Sequence, residues 1–80
     1  MKQEAFDAVI AILRKYAFQK SIVEDATESS DMIVDLKINS ARIVDIILDI
    51  EDEFGIEIPT KDLEKIKTIG DLVSIINARQ

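Results

Sequence analysis

Four carboxylates, Asp49, Glu51, Asp52 and Glu53, crowd into five consecutive positions, so general acid–base catalysis is the first chemistry to weigh. Their spacing is helical, and most of them fall on the outer side of that helix. There water keeps a carboxylate at its ordinary acidity, which is unsuited to proton transfer. The same cluster fails as a calcium loop. An EF-hand needs glycine at its sixth position and oxygen ligands on alternate residues of a turn. Counted from Asp49, the sixth position is Phe54. Weak, diffuse binding of divalent ions is all the cluster supports. The chain has no histidine and no cysteine, which removes nucleophilic triads, the usual zinc sites and disulfides. Gly55 and Gly70 stand alone, so no glycine-rich phosphate loop is present. These residues offer no independent active site, and the chain reads as a non-enzyme with no resident metal.

Covalent carriage remains. Of the serines Ser21, Ser29, Ser30, Ser40 and Ser74, Ser40 alone combines the end of a long loop, the start of a strong helix and an acidic surface just downstream. A phosphodiester placed there would meet free backbone N–H groups and the positive end of the helix dipole. The residues alone leave a second role open, because serine and asparagine are favoured helix caps and either Asn39 or Ser40 can serve as one.

The elements that position these residues follow from hydrophobic spacing. From Lys2 to about Phe18, the residues Phe6, Val9, Ile10, Leu13 and Ala17 recur at three- and four-residue steps, which predicts a helix with one buried stripe. Arg14 and Lys15 near its end suit the negative pole of the helix dipole. Residues 19–39 lack such a period. Their polar first half is followed by Met32, Ile33, Val34, Leu36 and Ile38, which are expected to pin the segment across a bundle, with room for a short helical turn. A loop of about twenty residues is uncommon in a compact domain and is more often functional than idle. From Ser40 to Phe54 a second helix is clear, with Ile43, Ile46, Ile47, Ile50 and Phe54 inside and Val44 at a border. Gly55 ends it, and Ile58-Pro59 holds the chain extended. Thr60 is expected to cap a short third helix through about Ile66. Thr68 and Asp71 are spaced as a capping box opening a fourth helix to about Ala78, whose inner face is Ile69, Leu72, Val73 and Ile76.

The fold class is therefore all-α: a small four-helix bundle of three main helices plus a short third, with a long first loop. Eighty residues make one domain, without repeats, low-complexity tracts or linkers. Such a chain buries only about 60% of the surface it exposes unfolded, so its 48% apolar content must drive folding unaided. The net charge of −6 repels phosphate backbones and anionic lipid heads. Nucleic acid is thus excluded as a partner and membrane insertion is not expected, whereas basic protein surfaces fit. Apolar runs such as Ile46-Ile47-Leu48 are too short to span a bilayer, and Met1-Lys2-Gln3-Glu4 has no signal-peptide shape. A soluble, cytoplasmic monomer is the expectation.

At this point the residues resemble a family. The run Val34-Asp35-Leu36-Lys37-Ile38-Asn39-Ser40, then Ile43-Val44-Asp45-Ile46-Ile47-Leu48-Asp49-Ile50-Glu51-Asp52-Glu53-Phe54-Gly55-Ile56-Glu57-Ile58-Pro59, is similar to an acyl carrier protein. The likeness is weak over the first helix and clear from about Ile33 to Ile76. It implies that residues 1–80 form a single acyl-carrier domain, a bundle with its attachment serine at the start of the second helix. It implies 4′-phosphopantetheine as cofactor, attached covalently from coenzyme A by a phosphopantetheinyl transferase, with acyl groups held as thioesters on the terminal thiol. It implies partners that load and use those acyl groups, enzymes of fatty-acid or related lipid or polyketide biosynthesis with basic docking patches. By position, Ser40 matches the attachment serine, with Asn39 as the helix cap beside it. Ala41, Asp45, Leu48, Glu51 and Asp52 match docking positions, and Val44, Ile46, Ile47, Ile50 and Phe54 match the face lining the acyl-holding interior.

The sequence departs from the family pattern near the serine. The family's Asp-Ser-Leu triplet reads Asn39-Ser40-Ala41, Arg42 adds a cation to the recognition face, and Lys37 stands where the family often has glycine. These changes point to a specialised carrier with dedicated partners. Two other readings stay open at this stage: an aminoacyl or peptidyl carrier, and an unmodified acidic docking module acting through residues 45–57.

Overall fold

The computed structural model describes residues 2–17 and 20–79. Helix α1 spans Lys2–Tyr16, and Phe18, at its predicted end, lies outside the described residues. Its buried stripe is Ala5, Val9, Ile12 and Leu13, continued by buried Ala17 just past its end. Phe6 and Ile10, read as members of that stripe, are half-buried beside it. A short helix α2, Lys20–Glu24, follows inside the segment expected to be mostly loop, and it buries Val23.

The second strong helix does not begin as an α-helix. Ser40–Arg42 form a 3₁₀ turn that leads into α3, Ile43–Phe54. Gly55 closes α3 in the left-handed region (φ 65°, ψ 38°), its N–H donating to the carbonyl of Glu51. Helix α4 is one turn, Thr60–Leu63, shorter than the expected span to Ile66. Thr60 is not its cap. Pro59, extended at φ −61° and ψ 146°, takes that position without a side-chain bond, and its carbonyl accepts the Asp62 N–H at 2.9 Å. The turn cannot extend because Lys65 and Ile66 bond back to Asp62 and Leu63, three residues earlier, in the tighter 3₁₀ manner.

Helix α5, Ile69–Arg79, has the capping box that its spacing predicts. The Asp71 N–H donates to Thr68 Oγ1 at 3.1 Å, and the Thr68 N–H donates to Asp71 Oδ2 at 3.0 Å. Its next free donors are met from the long loop: Ile69 N–H reaches the Ser30 carbonyl at 3.0 Å and Gly70 N–H the Glu28 carbonyl at 2.8 Å. Asp31 and Thr68 form an isolated antiparallel bridge, beside which Met32 N–H donates to the Lys67 carbonyl at 2.9 Å. The loop is thus zipped along the start of α5.

One apolar core unites these elements. Val9 and Leu13 of α1, Ile46 and Ile50 of α3, and Leu72 and Ile76 of α5 are fully enclosed, with Met32, Leu36 and Ile38 closing the loop side. Ile33 and Val34, expected to be anchors, are 47% and 64% exposed. Their backbone N–H groups donate to Asp31 Oδ1 at 2.9 and 2.8 Å, and this tight turn aims them at solvent while Met32 and Leu36 point inward. Helix α1 packs chiefly on α5 and then on α3, so the start of α3 is held from below by the core and from one side by the loop.

Candidate functional site

The geometry around Ser40 resolves which residue caps. Asn39 is extended (φ −63°, ψ 132°), and its Oδ1 accepts the Ala41 N–H at 2.8 Å. Its carbonyl accepts the Arg42 N–H at 2.8 Å. The Ser40 carbonyl takes the Ile43 N–H. The Ser40 side chain is exposed and its hydroxyl has no hydrogen bond among the described residues. Asn39 does the capping, and the serine keeps a free nucleophilic oxygen at the entry to a helix.

A buried neighbour on the upstream side fixes this position. Two residues upstream Ile38 is 1% exposed, and its N–H donates to the Met32 carbonyl at 3.1 Å. Asp31 and Asp35 brace the same turn, the Asp31 N–H donating to Asp35 Oδ2 at 2.7 Å and the Asp35 N–H to the Asp31 carbonyl at 2.9 Å. Between the turn and Ile38, Lys37 sits at φ 60°. A left-handed lysine is a strained choice, and it marks the place where the chain reverses to deliver Asn39 and Ser40.

The residues matched to docking positions differ in how free they are. Ala41 and Asp52 are exposed, and Leu48 is 56% exposed. Asp45 is half-exposed, with Oδ2 3.2 Å from Arg42 Nη1. Glu51 is half-buried, and its Oε2 accepts the Ile58 N–H at 2.7 Å. Of the residues matched to the acyl-holding face, Ile46, Ile47 and Ile50 are buried and Phe54 packs half-buried against them. Val44 is a correction: it is 55% exposed. Two helical steps turn it about 200° from Ile46, whereas four steps place it over the same face as Leu48.

Sequence reasoning missed a clasp between α1 and α3. Tyr16 Oη donates to Asp49 Oδ2 at 2.5 Å, and Lys15 Nζ lies 3.4 Å from the same oxygen. The tyrosine's hydrogen bond, helped by the Lys15 charge, draws the Asp49 carboxyl below its ordinary value, and the same bond pushes the Tyr16 hydroxyl up. The only signal available beforehand was an amphipathic tyrosine near the end of α1. The Arg42–Asp45 pair, three residues apart, was readable from spacing.

Two surface clefts lie away from Ser40. One of about 330 Å³ is bounded by Asp62, Asp71, Ser74 and Arg79, and one of about 400 Å³ by Glu51, Glu57, Pro59 and Arg79. Among the described residues no group of three acidic, histidine or cysteine side chains is arranged to hold a metal ion. Among them, too, no helix is long and apolar enough to cross a membrane.

Comparison with known proteins agrees with this arrangement. The family model described as phosphopantetheine attachment site matches residues 20–76. The acyl carrier protein of Lactobacillus acidophilus is 47% identical over 57 residues, 71% of each chain. That of Thermotoga maritima is 39% identical over 79 residues, covering 98% of this chain and 94% of the relative. A solved structure of the acyl carrier protein from Enterococcus faecalis superposes with a TM-score of 0.81 at 29% identity, over 100% of this chain and 99% of the other. A helical bundle with that likeness, matched over most of its length by the attachment-site family, belongs to the acyl carrier proteins, which are carriers and not enzymes and which bear a covalent phosphopantetheine arm.

Proposed function

We propose that residues 1–80 act as one carrier domain that holds acyl groups as thioesters on an arm attached to Ser40. It presents them to enzymes of fatty-acid or related specialised lipid or polyketide biosynthesis. The observation that carries this reading is the free, exposed Ser40 hydroxyl at the helix entry, with the capping role taken by Asn39. The residues present fit the group. A phosphodiester there has open solvent for the arm, the positive end of the 3₁₀ turn and α3 behind it, and no acid adjacent in sequence.

When bound, the arm supplies a terminal thiol for the acyl group. The chain's own residues do the rest. Asn39 and Ile38 fix the backbone that offers Ser40, and Ala41 of the 3₁₀ turn with Val44, Leu48 and Asp52 of α3 lie on the outward face that a partner meets. Ile46, Ile47, Ile50 and Phe54 supply apolar surface that a cargo chain would reach if the helices part. Tethering confines the cargo near each docked enzyme, raising its effective concentration. Asn39, Ala41 and Arg42 favour dedicated partners over general ones. The protein works as a monomer in the cytoplasm.

Intact mass after incubation with coenzyme A and a phosphopantetheinyl transferase, beside Ser40→Ala, tests the site. Transfer joins the serine oxygen to the pantetheine phosphate and releases the nucleotide half of coenzyme A. One phosphopantetheine gained by the wild type alone is the expected result. No gain with several transferases, including that of the source organism, would favour an unmodified docking module instead.

A further inference from the structure

Two departures from the family pattern change the chemistry beside Ser40 in the same direction. Lys37 stands where the family often has glycine, and Asn39 where it has aspartate. Lys37 sits at φ 60°, in the left-handed region where a side chain is strained and glycine is not. Strain of this kind clusters at functional places. No contact of the side chain offsets it, because Lys37 is exposed and its ammonium has no hydrogen bond or ion pair among the described residues. The acids before it serve the turn: Asp35 Oδ2 accepts the Asp31 N–H at 2.7 Å, and Asp31 Oδ1 accepts the N–H groups of Ile33 and Val34. Beyond Ser40, Arg42 is occupied by Asp45 at 3.2 Å. Of the charged side chains from Asp35 to Asp45, Lys37 alone has no bond among the described residues.

Asn39 adds a donor on the same side of the serine. Its Oδ1 caps the Ala41 N–H at 2.8 Å, which leaves Nδ2 without an acceptor among the described residues. An aspartate would cap equally well, but it would set a negative charge against an anion carried on Ser40. Three residues separate Lys37 from Ser40, at most about 10 Å along the chain. The flexible four-carbon stem of a lysine and a phosphate on the serine oxygen cover that span together.

We propose that Lys37 Nζ and Asn39 Nδ2 hold the phosphodiester that joins the arm to Ser40, so that the arm leaves the protein in a restricted direction. The proposal rests on the arm sitting at Ser40, as proposed above, and adds how this chain grips it. A phosphodiester carries one negative charge and accepts hydrogen bonds, which is what the free ammonium and the free amide each lack. The site is open to water, so the hold is screened by salt and releases the arm readily. It also accounts for a lysine at a position whose backbone favours glycine.

The test uses wild type, Lys37→Gln, Lys37→Arg, Lys37→Gly and Asn39→Asp. Each is loaded with coenzyme A and a broad-specificity phosphopantetheinyl transferase and checked by intact mass. Transverse relaxation of the arm's phosphorus, read by NMR, reports how restricted the phosphodiester is on the nanosecond scale. Lys37→Gln and Asn39→Asp are expected to slow that relaxation about twofold, while Lys37→Arg keeps most of the wild-type rate. Raising salt from roughly 0.05 to 0.5 M should bring the wild type close to Lys37→Gln. This salt series needs no variant, so it decides even where a variant loads incompletely. Lys37→Gly is expected to relax slowly as well and yet to melt higher, because it sheds the left-handed strain; lost hold is then not lost fold. A wild-type rate equal to that of Lys37→Gln, or one that salt leaves unchanged, would overturn the proposal while leaving Ser40 as the site. Failure of the wild type to gain one phosphopantetheine, or a gain by Ser40→Ala, would overturn the reading beneath it.

Discussion

The carboxylate of Glu51 accepts the backbone N–H of Ile58 at 2.7 Å, so an acid on α3 holds the segment that leads into α4. The backbone of the same residue is used as well: its carbonyl takes the N–H groups of Gly55 and, at 3.1 Å, Ile56. Glu51 thereby closes the end of α3 with both side chain and main chain. Its position in the family pattern suggests a docking acid, but its first task here is internal.

Removing that side chain should show as lost stability. Glu51→Ala leaves the Ile58 N–H, on a residue 6% exposed, without its charged acceptor, and is expected to cost about 1–2 kcal/mol in urea unfolding. Glu51→Gln keeps an acceptor and should cost less. Asp52→Asn, on an exposed side chain with no bond among the described residues, should stay within about 0.5 kcal/mol. Equal losses at 51 and 52 would contradict the distinction drawn between them.

Two left-handed residues bracket the 3₁₀ turn and α3, and they should respond oppositely to substitution. Lys37 at φ 60° bears the cost of a side chain in that region, so Lys37→Gly is expected to stabilise by about 0.5 kcal/mol after the extra chain entropy of glycine is offset. Gly55 at φ 65° has nothing within 4 Å of where a Cβ would lie. Gly55→Ala should therefore cost about 1 kcal/mol through conformation alone. Thermal melts of the two variants, shifted in opposite directions, are the check.

What could be read beforehand divides along the range of the interactions involved. The stripes of α3 and α5, the glycine stop at Gly55 and the Thr68–Asp71 box depend on residues within a turn or two, and spacing alone exposes them. The split of the loop into buried Met32, Leu36 and Ile38 and exposed Ile33 and Val34 depends on Asp31 Oδ1 and on pairing with residues 67–70, which no local pattern announces. Val44 was misplaced because a border residue next to a wide apolar stripe can tip either way, and packing decides. At the site, Ser40 stood out from its place between loop and helix. That Asn39 takes the cap and leaves the hydroxyl free required the backbone geometry.

The loop's attachment to α5 makes Gly70 sensitive for want of space. A Cβ there would lie 2.9 Å from the Glu28 carbonyl oxygen, which the Gly70 N–H itself engages at 2.8 Å. Alanine is the better helix former by about 1 kcal/mol, yet Gly70→Ala is expected to destabilise by about 1–3 kcal/mol because backbone, not a flexible side-chain end, must move. Amide exchange should quicken at Ile69, Gly70 and Met32, whose N–H groups form the zipper, before it quickens in α1. Unchanged protection at those three amides would show that the loop accommodates the methyl group freely.

Acid should weaken the same junction through Asp71. Its Oδ2 accepts the N–H groups of Lys67 and Thr68, each at 3.0 Å. Those bonds, with smaller help from the Thr68 hydroxyl and the Lys67 charge, hold the carboxyl below its ordinary value of 3.8. A group whose folded value is lowered adds stability that is present above its unfolded value and is lost as pH falls through the folded one. Asp71→Asn should thus be less stable than the wild type by about 1 kcal/mol near pH 7, with the gap closing below about pH 4 as the wild-type carboxyl is protonated. Urea unfolding of both proteins at pH 7, 5 and 3 measures it. The difference between the two is the quantity to follow, because protonating the other acids of a chain with net charge −6 also relieves repulsion and changes both curves alike. A gap that stays constant down to pH 3 would mean that the Asp71 carboxylate is not what secures the start of α5.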